Sequence, residues 1–240
     1  MKGLFSIQGG KSFQRKRIVD NFPKDYSIYV EPFVGAGSVF FEKPKTPNEI
    51  INDKDADTIF VYRMLQKYPN PPKFTVSRTT KEEFLKYKKM IPKNEIEKLE
   101  KILVLFFHSW RGSRESYAPS RASMSIKDSY LFKHWNEYHN RLKGVKIYNK
   151  DWKEVVSPYL NNANALIYLD PPYETEDYDN VTKAANRTSY YGVINLNSLI
   201  LTLQKAKCKF MLSFSNHPEL KKRLKEFNVK AYKTQKTIKN

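Results

Sequence analysis

The segment "NALIYLDPPYE" constrains the fold more than any other feature of this 240-residue chain. Its apolar run is typical of a buried strand, and the strand has to end at Asp170 because proline cannot donate a hydrogen bond to a sheet. The rings of Pro171 and Pro172 then hold the next residues in a stiff, extended shape. The sequence therefore predicts a rigid ledge at a strand end, carrying one carboxylate and the aromatic ring of Tyr173.

Strand and helix patterns alternate on both sides of this ledge. The strand "SIYVEPF" leads through the turn "VGAGS" into a short helix, and the strand "NEIIND" is followed by the helical "ADTIFVYRMLQKY". Later strands are predicted at "VKIYN", "NALIYLD", "KFMLSFS" and "NVKAYKTQK". Successive strand-to-helix units favour a parallel sheet, so we expect an α/β fold with a doubly wound, Rossmann-like sheet.

One long interruption breaks the alternation. Residues 69–144 are mostly helical and charged in pattern, and they contain the basic loop "RGSRESYAPSRASMSIKD". We therefore expect one domain built from residues 1–68 and 145–240, with residues 69–144 inserted as a helical subdomain. The loop offers Arg111, Arg114, Arg121 and Lys127 for contacts with phosphates or guanine edges.

The charge balance points to a polyanionic partner. Lys and Arg number 43 against 25 acidic residues, which gives a formal charge of +18. The alternative is a lysine-rich surface that is merely solvated. The single Cys208 excludes disulfides within the chain and favours a reducing compartment. Without a long apolar span or a secretory signal pattern, we expect an intracellular, soluble protein with no membrane partner.

A glycine turn and an acid mark a second candidate site. Gly35 and Gly37 follow the first strand, where a ligand can approach the backbone closely, although glycines also serve ordinary strand-to-helix turns. Asp53 ends the next strand about 20 residues further on, the position of an acid that accepts hydrogen bonds from ribose hydroxyls. The alternative for Asp53 is a helix cap before "ADTIF", a role equally suited to Asp55.

The N-terminal "GGKS" is not a nucleotide-hydrolysis loop, because Phe5 stands where the first glycine would be required. Lys11 is either a cation that faces a carboxylate or a surface charge. The four histidines have no spacing shared with cysteines or acids, so no metal site is expected.

The two strand-end sites should meet in space. In a doubly wound sheet, the carboxyl ends of parallel strands face one crevice, even when the segments are distant in sequence. Asp170 and the Pro171 carbonyl can accept hydrogen bonds from an amine, while Tyr173 presents a flat face to a planar ring. The combination predicts a pocket for a nucleobase. The alternative is a Pro-Pro turn with an incidental tyrosine.

At this point the chain resembles the Dam-like N6-adenine DNA methyltransferases, of the D12 class and alpha order. The resemblance depends on "GGK" at 9–11, "EPFVGAGSVF" at 31–40, Asp53 and "DPPY" at 170–173, in that order. The late segment "LSFSNH" is similar to a family segment and contains Asn216. The family resemblance implies S-adenosylmethionine as cofactor, double-stranded DNA as partner and a target-recognition region between the motifs.

The resemblance also implies roles for individual residues. Catalysis would use Asp170, Pro171, Pro172 and Tyr173. DNA contacts would involve Asn216 and the basic loop, and Tyr190 and Tyr191 either cover the extruded base or simply pack. The implied cofactor-binding residues are Gln8, Gly9, Gly10, Lys11, Glu31, Pro32, Phe33, Gly35, Ala36, Gly37, Ser38, Asp53, Asp151 and Trp152.

The implied mechanism agrees with the chemistry of these residues. The target adenine leaves the duplex stack, and Asp170 and the Pro171 carbonyl accept its two amino hydrogens. No metal is needed. The same ledge could serve cytosine N4 or an RNA adenine, and a non-catalytic, methyltransferase-like nucleic-acid-binding subunit would keep the fold and charge. Monomer and homodimer both remain open.

Overall fold

The computed structural model describes residues 1–7, 9–75, 79–172, 194, 196–214 and 224–232. Within them, five parallel strands form one sheet in the order β3-β2-β1-β4-β5. The strands are β1 (Ile28–Glu31), β2 (Asn48–Asn52), β3 (Lys146–Tyr148), β4 (Ala165–Leu169) and β5 (Lys209–Leu212). The predicted α/β fold with a parallel, Rossmann-like sheet is confirmed.

Within the described residues, one helix precedes β1, and the others lie in the intervals between β2 and β5. These helices are α1 (Arg15–Asp20), α2 (Ala56–Lys67), α3 (Lys81–Lys89), α4 (Glu95–His108), α5 (Tyr130–Lys133), α6 (Trp135–Leu142), α7 (Trp152–Val156) and α8 (Leu196–Gln204). Side-chain caps fix several of the starts: Asp55 accepts from the Asp57 amide before α2, and Asn94 accepts from two amides before α4. None of the helices in the described ranges is long and apolar enough to cross a membrane.

Both faces of the sheet are buried. Side chains alternate along a strand, so Tyr29 of β1 and Ile51 of β2 join one apolar cluster, while Val30 joins another. The first cluster includes side chains of α2, α4 and α6, and the second includes side chains of α7 and α8. Helices on both faces are what an all-parallel sheet requires, since its strands cannot face water.

The helices between β2 and β3 share the core of the sheet. Buried side chains from α4 and α6 belong to the same cluster as those of β1, β2 and β4. The rings of Phe5 and Phe106 stack with centroids 3.9 Å apart, and the Trp135 indole donates to the Tyr68 carbonyl at 2.7 Å. The buried side chains of α4 and α6 thus form one core with the sheet. The division of the chain at residues 69 and 144 remains a prediction.

Two local predictions were wrong. The stretch after the glycine turn forms turns between residues 36 and 43 instead of a short helix. Residues 228–232, the start of the predicted last strand, are not a strand, and the rest of that segment lies outside the described residues. Cys208 is buried, as expected of a core residue.

Candidate active site at the carboxyl ends of the strands

The site lies where the sheet changes direction. From β1 the chain proceeds outward to β2 and β3, and it returns to pair β4 with the other side of β1. Because Val30 is opposite Ile167, β1 and β4 end side by side, and the Asp170 carboxylate is near enough to Glu31 to interact with it electrostatically. In parallel sheets, ligands bind at the carboxyl ends of the strands next to this switch point.

Lys11 and Asp170 are in direct contact there. The Lys11 Nζ atom lies 2.5 Å from Asp170 Oδ1 and donates a second hydrogen bond to the Gly9 carbonyl at 3.1 Å. Both side chains are mostly shielded from solvent, with 18% and 17% exposed. Of the two alternatives for Lys11, the carboxylate partner is the one found. The N-terminal "GGK" and the "DPPY" ledge therefore belong to one site.

The glycine turn has left-handed backbone at both glycines, with φ of 48° at Gly35 and 73° at Gly37. A Cβ at Gly37 would lie 2.3 Å from the Tyr62 hydroxyl oxygen and 2.8 Å from a ring carbon of Phe41. Gly37 is therefore required for packing against α2. The turn was expected to let a ligand approach, but at Gly37 the space is already filled by protein.

Asp53 is buried and holds the glycine turn in place. Its Oδ2 accepts from the Gly35 amide at 2.7 Å, and its Oδ1 accepts from the Asp55 amide at 2.9 Å. Burial raises the pKa of Asp53 to about 7, against the lowering effect of these amide hydrogen bonds. Of the two candidate helix caps, Asp55 is the one that caps α2. Binding of ribose by Asp53 remains a prediction.

A cavity of about 230 Å³ joins the two motif regions. Pro32 and Phe33 of the first motif line it together with Pro172 of the ledge. Asp151 and Trp152 form another wall, and the rings of Phe33 and Trp152 lie 6.1 Å apart. Trp152 also packs in the second apolar cluster, so its core role and its place in the cavity coexist. Five predicted site residues thus line one cavity.

Asn52 was missed by the sequence reasoning. Its buried amide nitrogen donates to the Pro32 carbonyl at 3.0 Å and to the Lys150 carbonyl at 3.2 Å, and its oxygen accepts from the Lys150 amide at 2.8 Å. These bonds tie the loops after β1 and β3 together across β2, and Asn52 lines the cavity with Lys54 and Lys150. The only signal was an amide at the end of an apolar strand.

Glu31, the last residue of β1, is buried. The Tyr29 hydroxyl donates to its Oε2 at 2.6 Å, and only 2% of the residue is exposed. Burial raises the pKa of Glu31 to about 8, and the negative charge of Asp170 adds to the rise. Glu31 is therefore largely protonated at neutral pH, which limits the negative charge in this part of the site.

The predicted DNA contacts separate into exposed and buried residues. Arg111 and Lys127 are exposed, and Arg121 donates to the Phe107 carbonyl at 3.3 Å. Arg114 is only 5% exposed. Its guanidinium binds Asp55 at 2.8 Å and Asp57 at 2.9 Å. This geometry corrects the expectation for Arg114, because a buried guanidinium held by two carboxylates cannot reach DNA.

The remaining predicted site residues have various positions. Gly9 and Gly10 are exposed beside Lys11, while Ala36 and Ser38 are buried, with the Ala36 carbonyl accepting from the Leu4 amide at 2.8 Å. The exposed Asp151 caps α7. Within the described ranges, no group of His, Cys, Asp and Glu side chains could hold a metal ion. Outside the described residues lie Gln8, Tyr173, Tyr190, Tyr191 and Asn216.

Comparisons with known proteins agree with this geometry. The chain is 25% identical over 252 residues to Type II methyltransferase M1.LlaDCHI of Lactococcus lactis subsp. cremoris, covering 92% of this chain and 84% of the relative. It is 26% identical to Type II methyltransferase M.MjaIII of Methanocaldococcus jannaschii, covering 96% and 90%. Type II methyltransferase M.CviBI of Paramecium bursaria Chlorella virus NC1A is 24% identical, with 73% and 70% covered.

A family model also matches, and it extends over residues 8–238. The match includes the glycine turn, the intervening helices and the proline ledge, so it covers every motif that meets at the crevice. The chain therefore belongs to the D12 class N6 adenine-specific DNA methyltransferase family.

Proposed function

We propose that this DNA methyltransferase transfers the methyl group of S-adenosylmethionine to N6 of an adenine rotated out of duplex DNA. One observation carries the proposal: the cavity is lined both by the turn after β1 and by the ledge after β4. A methyl donor and an acceptor base can then approach each other within one crevice, which is what direct group transfer requires.

The residues of the cavity suit S-adenosylmethionine. Phe33 and Trp152 offer apolar faces for an adenine ring, while Asn52, Lys54 and Lys150 supply polar groups nearby. When bound, the cofactor supplies an electrophilic methyl group on a sulfonium.

Asp170 and the Pro171 carbonyl would act on the amine. Each accepts one hydrogen bond from N6, which increases electron density on the nitrogen and aims its lone pair at the methyl carbon. As the N6–carbon bond forms and the sulfur–carbon bond breaks, N6 loses a proton, and Asp170 is the nearest carboxylate to receive it. The rate would come from positioning and electrostatics.

Base rotation follows from the chemistry of a paired adenine. Its amino group is hydrogen-bonded in the duplex, and extrusion costs about a few kcal/mol. Stacking of the extruded base on Tyr173 would offset about 1–3 kcal/mol of this cost. The charge of +18 supports binding to the phosphate backbone, and the exposed Arg111 and Lys127 are the insert residues we assign to it.

The proposal is tested by incubating the protein with methyl-labelled S-adenosylmethionine and adenine-containing duplexes, followed by mass spectrometry of the nucleosides. We expect N6-methyl-2′-deoxyadenosine as the labelled product. Asp170→Ala should reduce transfer at least about 10³-fold while the affinity for S-adenosylhomocysteine changes less than about threefold. N4-methylcytosine as product would instead identify the cytosine-N4 alternative.

No transfer to any DNA or RNA by protein that binds the cofactor would overturn the proposal. No binding of cofactor at all would favour the non-catalytic alternative.

A further inference from the structure

We propose that Lys11 is a positioning residue for Asp170, fixing its carboxylate in the orientation that accepts the target amine. The inference rests on the proposed function and deepens it. It gives Lys11 a role on the acceptor side of the crevice, whereas the family resemblance implied cofactor binding for this residue.

The geometry of the ammonium carries the argument. Lys11 Nζ donates to Asp170 Oδ1 at 2.5 Å and to the Gly9 carbonyl at 3.1 Å. A lysine side chain has four rotatable bonds, and an exposed lysine gains little from one ion pair. Here two acceptors hold the same ammonium, and 18% of its side chain is exposed, so the cation is fixed relative to the ledge.

The segment that carries Lys11 is itself anchored. The Gly10 amide donates to the Ile7 carbonyl at 3.2 Å, and the Ile7 side chain packs beside Gly35. On its other side the Ser6 carbonyl lies against Gly112, leaving no room for a Cβ there. Ser6 and Ile7 are therefore held between the glycine turn and the loop after α4. Lys11 extends from this anchored base, so it can fix another side chain.

The charges explain why such a residue is needed. The substrate that Asp170 would act on belongs to a polyanion. A carboxylate without a cation would repel the approaching phosphates, and its side chain could rotate away from the amine. The Lys11 ammonium offsets that charge and restricts the rotation. A misplacement of about 1 Å at such a group can cost about 10²-fold in rate.

The test compares Lys11→Met, Lys11→Gln and Lys11→Arg by single-turnover methyl transfer at saturating S-adenosylmethionine and saturating duplex DNA. For Met and Gln we expect the rate constant to fall about 10²-fold, while the dissociation constants of S-adenosylhomocysteine and DNA change less than about threefold. Lys11→Arg keeps the charge and should recover at least about tenfold. The exposed Lys24→Met is the matched control and should transfer like the wild type.

Two results would overturn the inference. One is a single-turnover rate within about threefold of wild type in both the Met and the Gln variant. The other is a dissociation constant for S-adenosylhomocysteine that rises about as much as the rate constant falls, because Lys11 would then act as a cofactor ligand. Melting curves identify any variant that fails to fold. The rates of the folded variants then decide whether Lys11 positions Asp170. The proposed function fails separately, if the wild-type protein itself transfers no methyl group.

Discussion

Two cation–carboxylate pairs in this protein use the same chemistry in different surroundings. Arg114 binds Asp55 and Asp57 below the surface, where the side chains of Arg114 and Asp55 are 5% and 3% exposed. Lys11 binds Asp170 in the crevice, where the side chains are 18% and 17% exposed. The first pair fastens the loop after α4 to the start of α2. The second remains within reach of a ligand, so burial separates the structural pair from the pair that we propose to be functional.

The largest effect on stability should come from breaking the buried pair. Arg114→Met leaves the Asp55 carboxylate buried without its cation, and we expect the free energy of unfolding to fall by about 3–5 kcal/mol. Lys11→Met should cost about 1 kcal/mol or less, because solvent still reaches that pair. Urea denaturation of both variants measures the difference. Equal losses would show that burial does not distinguish the pairs.

The contact between Gly112, in the same loop, and Ser6 gives a second test. Gly112 has φ of 69°, and a Cβ there would lie 2.2 Å from the Ser6 carbonyl oxygen. Gly112→Ala should therefore cost about 2–3 kcal/mol, from backbone strain and displacement of Ser6 and Ile7. Gly144 has a similar φ of 79° with nothing within 4 Å, so Gly144→Ala isolates the strain alone and should cost about 1 kcal/mol. If Gly112→Ala and Gly144→Ala lowered the melting temperature equally, the close contact between Gly112 and Ser6 would have no effect on stability.

The buried acid beside the crevice should make stability depend on pH. The pKa of Glu31 is raised by burial to about 8 in the folded protein, so its stabilising contribution is complete below its ordinary pKa of 4.5 and is lost as the pH rises through 8. Glu31→Gln has no such loss. The variant should therefore gain about 3–4 kcal/mol relative to wild type between about pH 5 and pH 8.

Denaturation of both proteins at several pH values measures this gain. A stability difference that stays constant over the range would contradict the buried, protonated state of Glu31.

The smallest effect should come from an exposed cation three positions from the buried one. Arg111→Ala should leave stability unchanged and reduce the slope of log affinity for DNA against log salt by about 0.9, the loss of one phosphate contact. Titrations of duplex DNA at several salt concentrations measure the slope. Lys143→Ala, exposed at the end of α6, is the control and should not change it. An unchanged slope for Arg111→Ala would remove this residue from the interface.

Local sequence signals were sufficient for the strand ends. β4 ends before Pro171, because proline acts through the backbone of the residue itself. The parallel order of strands then brings those ends together without further information. A carboxylate partner for Lys11 was foreseen as one alternative, because the motif places a cation close to the crevice.

Local sequence signals could not predict which side chains pair with residues that are distant along the chain. Arg114 lies in a basic loop and has the composition of a DNA contact, yet its partners are 59 and 57 residues away along the chain. Asn52 was missed because its bonds connect loops that are adjacent only after folding. The spacing of such residues carries no periodic signal, so their role depends on the tertiary structure.

The most direct test of the account is a crystal structure of the protein with S-adenosylhomocysteine. The account predicts the adenine ring in the cavity between Phe33 and Trp152, and the sulfur directed toward Asp170 with Lys11 still bound to its carboxylate. A ligand bound elsewhere, or a sulfur separated from Asp170 by the width of the sheet, would contradict it.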